Sequence, residues 1–232
     1  MTGAGVRLLA LSLAALCLVG SLACCVRKPR SAPAPLRILA LGDSYTIGEG
    51  VPEGERWPVQ LAALLRDRGL EVDPPSIVAR TGWTTTDLAA AIAAADLESP
   101  YDLVTLLIGV NDQYGGEQVE LYGPRFASLL DTAVELAGDD PGRVIVLSIP
   151  DYSVTPFGQR FRPDATRREL DQYNALNRAI ADRRGVRYVD VTPNSRQAAG
   201  DPTLLVSDGL HPSGEMYRQW AELVLPVAIE SL

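Results

Sequence analysis

Five short apolar runs recur along this chain, and a longer stretch with apolar residues at helical spacing follows each one. No other feature constrains the fold as strongly. The runs are Leu36–Leu41, Ser76–Ala79, Leu103–Ile108, Val144–Ile149 and Val186–Val191. Leu103–Ile108 and Val144–Ile149 are almost wholly apolar, as strands covered on both faces are. The helical stretches are Trp57–Arg68, Thr84–Ala95, Glu117–Ala137, Ala165–Arg184 and Ser213–Leu232. Strands alternating with helices predict an α/β three-layer sandwich around a central parallel five-stranded sheet.

Local punctuation agrees with this division. Pro58 suits a first helical turn, and Gly69 and Gly185 suit helix ends. Thr84, Thr85 or Thr86 is expected to cap the second helix, with Asp87 in its first turn. Gly123-Pro124 is expected to delay or kink the start of the third. Pro150–Pro163 is the longest irregular stretch, long enough for a binding loop or lid. In such sheets ligands bind at the carboxyl ends of the strands.

The N-terminus reads differently. Arg7, the apolar run Leu8–Val19 and the small residues before Cys24 form a signal-peptide pattern, short for a membrane span. The expected organisation is a signal peptide over 1–24, a linker over 25–35 rich in Pro, Ala and basic residues, and one domain over 36–232. Ala23-Cys24 resembles the end of a bacterial lipobox, although Ser21 stands where Leu is usual. An exported protein is expected, either attached to a membrane through lipidated Cys24 or simply secreted; an uncleaved anchor is the third reading. All three cysteines, Cys17, Cys24 and Cys25, lie in this segment or at its edge. The domain therefore has no thiol for a disulfide, a nucleophile or a thiolate metal site.

With 29 acidic against 21 basic residues, the net charge is −8. An acidic surface repels a phosphate backbone, so nucleic acid is not an expected partner. His211 is the one histidine. A zinc site normally needs several His or Cys ligands, so no metal and no cofactor is expected. Asp139-Asp140 before Pro141-Gly142 reads as a solvated turn.

A few residues at strand ends carry chemistry. Ser44, in Gly42-Asp43-Ser44 after the first strand, is either a nucleophile or an N-cap serine. Gly82 and Asn111 follow the second and third strands and offer neutral donors, a close-approaching backbone N–H and a side-chain amide. Asp208 precedes His211 by three residues, and Gly209 allows the tight turn that brings them together. Either Asp208 orients a catalytic His211, or it caps a turn beside a surface histidine. A hydroxyl, two donors, a base and its orienter are the parts acyl transfer requires.

These segments resemble, in order, the four blocks of the SGNH/GDSL hydrolases: Gly42-Asp43-Ser44, Gly82, Gly109-Val110-Asn111-Asp112 and Asp208-Gly209-Leu210-His211-Pro212. Tyr45 replaces the Leu of the GDSL name. The resemblance spans about Leu36 to the C-terminus and implies a flavodoxin-like fold. It also implies a metal-free mechanism with Ser44 as nucleophile, His211 as base and Asp208 as its orienter. The Ser44 and Gly82 N–H groups and the Asn111 amide would form the oxyanion hole. No G-x-S-x-G elbow surrounds Ser44, which sets the chain apart from α/β-hydrolases. By location Trp83 is either a wall of the acyl pocket or core packing, and Tyr114, Tyr152, Phe157 and Phe161 are pocket or lid candidates.

The expected substrate is a carboxylic ester: acyl lipid, thioester, aryl ester or acetylated sugar. Trp57-Pro58 and the helix after it resemble the bacterial thioesterase/lysophospholipase-like members, which favours acyl-lipid or simple esters. A transacylase delivering the acyl group to a sugar hydroxyl would use the same residues. A non-catalytic envelope binding protein on the same fold would be expected to have broken blocks.

Overall fold

The computed structural model describes residues 34–232 together with residues 1–2. The signal-peptide reading, Cys24 and nearly all of the linker fall outside the described residues. Ala34–Leu232 forms one compact unit.

Five parallel strands form the sheet: β1 (Ile38–Gly42), β2 (Ser76–Ala79), β3 (Leu103–Leu107), β4 (Val144–Leu147) and β5 (Arg187–Val189). Their order is β2-β1-β3-β4-β5, the doubly wound arrangement expected. Eight α-helices occur among the described residues. They are α1 (Ser44–Ile47), α2 (Trp57–Asp67), α3 (Thr85–Ala94), α4 (Val110–Tyr114), α5 (Val119–Leu136), α6 (Pro163–Arg183), α7 (Thr192–Ser195) and α8 (Gly214–Ser231). Helices α2 and α8 pack together on one face, and α3, α5 and α6 form the other layer. Every residue of β1, β3 and β4 is buried, which explains why these strands lack polar alternation.

Gly42 pairs with Ala79 on one side and Leu107 on the other, so three strands end level with one another. The order matters for the site. β1 lies between β2 and β3, so anything after β1 is flanked by the loops after both neighbours.

Two helix starts show how the sequence acts locally. Thr84 caps α3 through a reciprocal capping box with Asp87, worth about 1 kcal/mol. α5 begins at Val119, two residues after the expected Glu117, and runs through Pro124. One backbone donor is missing there, but burial of Tyr122, Phe126, Leu129, Leu130 and Ala133 along the same helix holds it to the core. Leu176 packs where a side chain at Gly123 would have to stand. Pro150–Pro163 is a fixed wall in its first half. Asp151 is buried, its Oδ1 accepts the Ser153 N–H at 2.9 Å, and its Oδ2 faces Arg196 at 2.8 Å.

Candidate active site

Ser44 sits two residues past β1, as the first residue of α1. The N-cap alternative for Ser44 is settled by its neighbour. Asp43 takes that position, its Oδ1 accepting the Tyr45 N–H at 3.0 Å. This leaves the Ser44 hydroxyl free for the cleft it lines. Gly42 permits the turn: a Cβ there would lie 2.2 Å from Thr46 Oγ1 and 2.5 Å from the Leu107 carbonyl oxygen.

The cleft has a volume of about 170 Å³ and holds Ser44, Gly82, Asn111 and His211 together. Tyr114, Tyr152 and Phe157 line it too. Phe161 extends it outward, 5.1 Å from Phe157 and 6.2 Å from Tyr114 between ring centroids. Tyr114 and Phe161 are each about half exposed, at 54% and 52%. Of the two readings of Trp83, its half-buried ring fits the core one: it packs against the core and is not among the residues lining the cleft. Its backbone serves the site instead, because the Asn111 Nδ2 donates to the Trp83 carbonyl at 2.9 Å.

Asp208 and His211 form a closed local unit. Asp208 Oδ1 accepts the N–H groups of Leu210 at 2.8 Å and His211 at 3.0 Å, and Oδ2 lies 2.6 Å from His211 Nδ1. Asp208 thus caps the turn and contacts the His211 ring at once. Burial alone would raise the Asp208 pKa. The hydrogen bonds from the His211 ring and from the His211 and Leu210 N–H groups outweigh it and hold the carboxyl below its ordinary range. His211 is only 8% exposed, so it is no surface histidine. Its ring packs 5.7 Å from that of Tyr45. Its loop is stapled by the Val206 N–H to the His211 carbonyl at 2.9 Å, and by the Phe157 N–H to the Gly209 carbonyl at 3.0 Å.

The two backbone donors are ready. Among the described residues neither the Ser44 nor the Gly82 N–H donates to a protein acceptor. Gly82 adopts φ +85°, a conformation that disfavours any side chain, while nothing stands within 4 Å of where its Cβ would be. One hydrogen of the Asn111 amide is engaged by Trp83, which leaves the other for a ligand.

Sequence reasoning passed over several residues. Tyr45, Thr81, Val110 and Leu210 complete the lining, and Gln113 holds the wall by accepting the Tyr152 hydroxyl at 3.0 Å. Each flanks a motif residue, which is the one sequence signal that points to it. Asp43 is another. It is fully buried, its Oδ2 has no hydrogen-bond partner among the described residues, and burial pushes its pKa up to about 8. From about pH 4 to pH 8 an unfolded chain has lost this proton while the native chain keeps it, so native stability falls as pH rises. The slope from this group is at most about 1.4 kcal/mol per pH unit. Asp43→Asn is expected to flatten stability over that window. Urea unfolding at acidic and neutral pH checks this, and parallel slopes in the two proteins would contradict it.

Comparison with known proteins agrees with this geometry. Residues 40–219 match the GDSL-like lipase/acylhydrolase family. An arylesterase from Vibrio mimicus is 25% identical over 197 residues, covering 84% of this chain and 90% of its own. Among solved structures, TesA aligns with a TM-score of 0.66 at 21% identity, over 84% of this chain and 99% of its own. Axe2, an acetylxylan esterase from Geobacillus stearothermophilus, aligns with 0.62 at 22%, over 83% and 94%. The chain belongs to the GDSL-like lipase/acylhydrolase family and is a carboxylic ester hydrolase.

Proposed function

We propose that the chain hydrolyses esters through an acyl-enzyme on Ser44, and that its substrates carry short acyl groups on an apolar or aromatic alcohol. One observation carries the mechanism: a free hydroxyl, an oriented histidine and three neutral donors meet in one cleft. Ser44 Oγ attacks the ester carbonyl as His211 Nε2 takes its proton. The negative oxygen that forms is met by the Ser44 and Gly82 N–H groups and the Asn111 amide. His211 returns the proton to the leaving alcohol, and Asp208 stabilises the imidazolium between the two steps. Water then repeats the sequence on the acyl-enzyme.

The substrate class follows from the lining. Val110, Tyr114, Tyr152, Phe157 and Leu210 give the cleft an apolar, aromatic character, and its small volume of about 170 Å³ favours short acyl groups. The arylesterase among the relatives supports an aromatic alcohol. A series of nitrophenyl esters from acetate through octanoate to palmitate tests this. The expected kcat/KM is highest for the short acids and drops at least about tenfold at palmitate, since a chain longer than the cleft has to push against its aromatic wall. Equal or faster turnover of palmitate would refute the size argument.

A further inference from the structure

The two outer donors of the site stand on opposite sides of Ser44, one after β2 and the other after β3, with β1 between them. No sheet hydrogen bond joins those two loops, because their strands are not neighbours. Something else must fix their separation. The side chains of two consecutive residues do this. Asn111 reaches across to the Trp83 carbonyl at 2.9 Å. Asp112 reaches further along the same loop: Oδ2 accepts the Thr85 N–H at 3.0 Å and Oδ1 accepts the Thr85 hydroxyl at 2.6 Å.

Thr85 is the first residue of α3, so the Asp112 carboxylate also sits at the positive end of that helix. Arg125 braces it from α5. Its Nε donates to Thr85 Oγ1 at 3.2 Å, and its terminal nitrogen lies 3.6 Å from Asp112 Oδ1 and 2.8 Å from Glu117. The Asp112 side chain is almost wholly buried, with these partners accounting for both of its oxygens. A buried carboxylate is costly to place, and an apolar residue would fill the same space at lower cost. What an apolar residue lacks is the bidentate grip on one residue of the facing loop.

We infer that Asp112 is a positioning residue for the oxyanion hole: by gripping Thr85 it sets the distance between the Gly82 N–H and the Asn111 amide across the end of β1. It touches no reacting atom. Its effect reaches the reaction through Thr85, Trp83 and Gly82 on one side and through its chain neighbour Asn111 on the other. The inference rests on the reading of Ser44, Gly82 and Asn111 given above.

The test pairs Asp112→Asn with Thr85→Val. Asp112→Asn keeps the shape but removes the charge and turns one accepting oxygen into an amide donor, either against the Thr85 N–H or beside the Arg125 guanidinium. Thr85→Val keeps the volume and removes only the hydroxyl. Both are expected to lower kcat by about 10- to 100-fold while KM stays within about threefold, because misplaced donors weaken the transition state more than the ground state. The rate at which an alkyl phosphonate fluorophore modifies Ser44 is expected to fall by a similar factor, since that reaction uses the same donors. The double variant is expected to be no slower than Asp112→Asn alone, as one interaction is removed twice. Active sites counted by phosphonate titration correct for any misfolded fraction, and Thr85→Val serves if Asp112→Asn does not fold. Unchanged kcat per titrated site in Thr85→Val, or additive losses in the double variant, would overturn the inference. Ser44→Ala run alongside separates the two levels. Wild-type turnover in Ser44→Ala sinks the underlying mechanism, whereas a loss of about 10⁴-fold in Ser44→Ala beside a fully active Thr85→Val sinks only the role of Asp112.

Discussion

Ser44→Ala is expected to lower kcat on nitrophenyl butyrate by roughly 10⁴-fold or more, with folding unchanged. The size follows from what the hydroxyl does. On the mechanism proposed above, no acyl-enzyme forms without it, and only a water molecule held near the donors can attack. The three donors and the cleft remain, so a residual rate above solution is expected from binding and oxyanion stabilisation alone. Stability should barely move: Ser44 Oγ makes no hydrogen bond to protein groups among the described residues, and Asp43 caps α1. Stopped-flow measurement adds a sharper readout. The wild type should release a burst of nitrophenol equal to the enzyme concentration if deacylation is slower, and Ser44→Ala should release none. Equal rates in both proteins would remove Ser44 from the mechanism.

The second large effect belongs to His211. His211→Ala is expected to cost about as much as Ser44→Ala, because nucleophile and base act as one unit and their losses do not add. The double variant should therefore be no slower than either single one. Asp208→Asn separates orientation from basicity. Asp208 Oδ2 accepts from Nδ1 at 2.6 Å, which keeps the lone pair of Nε2 toward the cleft. An asparagine amide in that place can present its N–H to Nδ1 and favour the other tautomer. A loss of up to about 10⁴-fold is expected. If Asp208→Asn retained near-normal kcat, the Asp208–His211 bond would be a feature of the turn alone. Steady-state kinetics on the four proteins decides between these outcomes.

Much of this was legible in the sequence because the relevant signals are local. Leu103–Leu107 announces a doubly covered strand by composition alone, and Thr84 with Asp87 announces a helix start within four residues. Asp208 and His211 are three residues apart, so a single turn makes their contact. The misses share the opposite property. Asp112 meets Thr85 across 27 residues, and nothing in the sequence distinguishes a buried aspartate from a surface one. Asp43 is hidden for the same reason. Trp83 was ambiguous because the direction of a side chain after a glycine depends on the φ of that glycine, and +85° at Gly82 is a property of the folded loop.

The hydrogen bond from the Phe157 N–H to the Gly209 carbonyl has a consequence for how such an enzyme can diverge. It joins the segment that shapes the cleft to the segment that carries His211, and it does so through main-chain atoms only. The ring of Phe157 can be exchanged for another side chain without releasing that tie. Specificity and chemistry are thus mechanically linked yet genetically separable. A lineage can drift among ester substrates by changing the wall, one residue at a time, while the His211 loop keeps its anchor throughout.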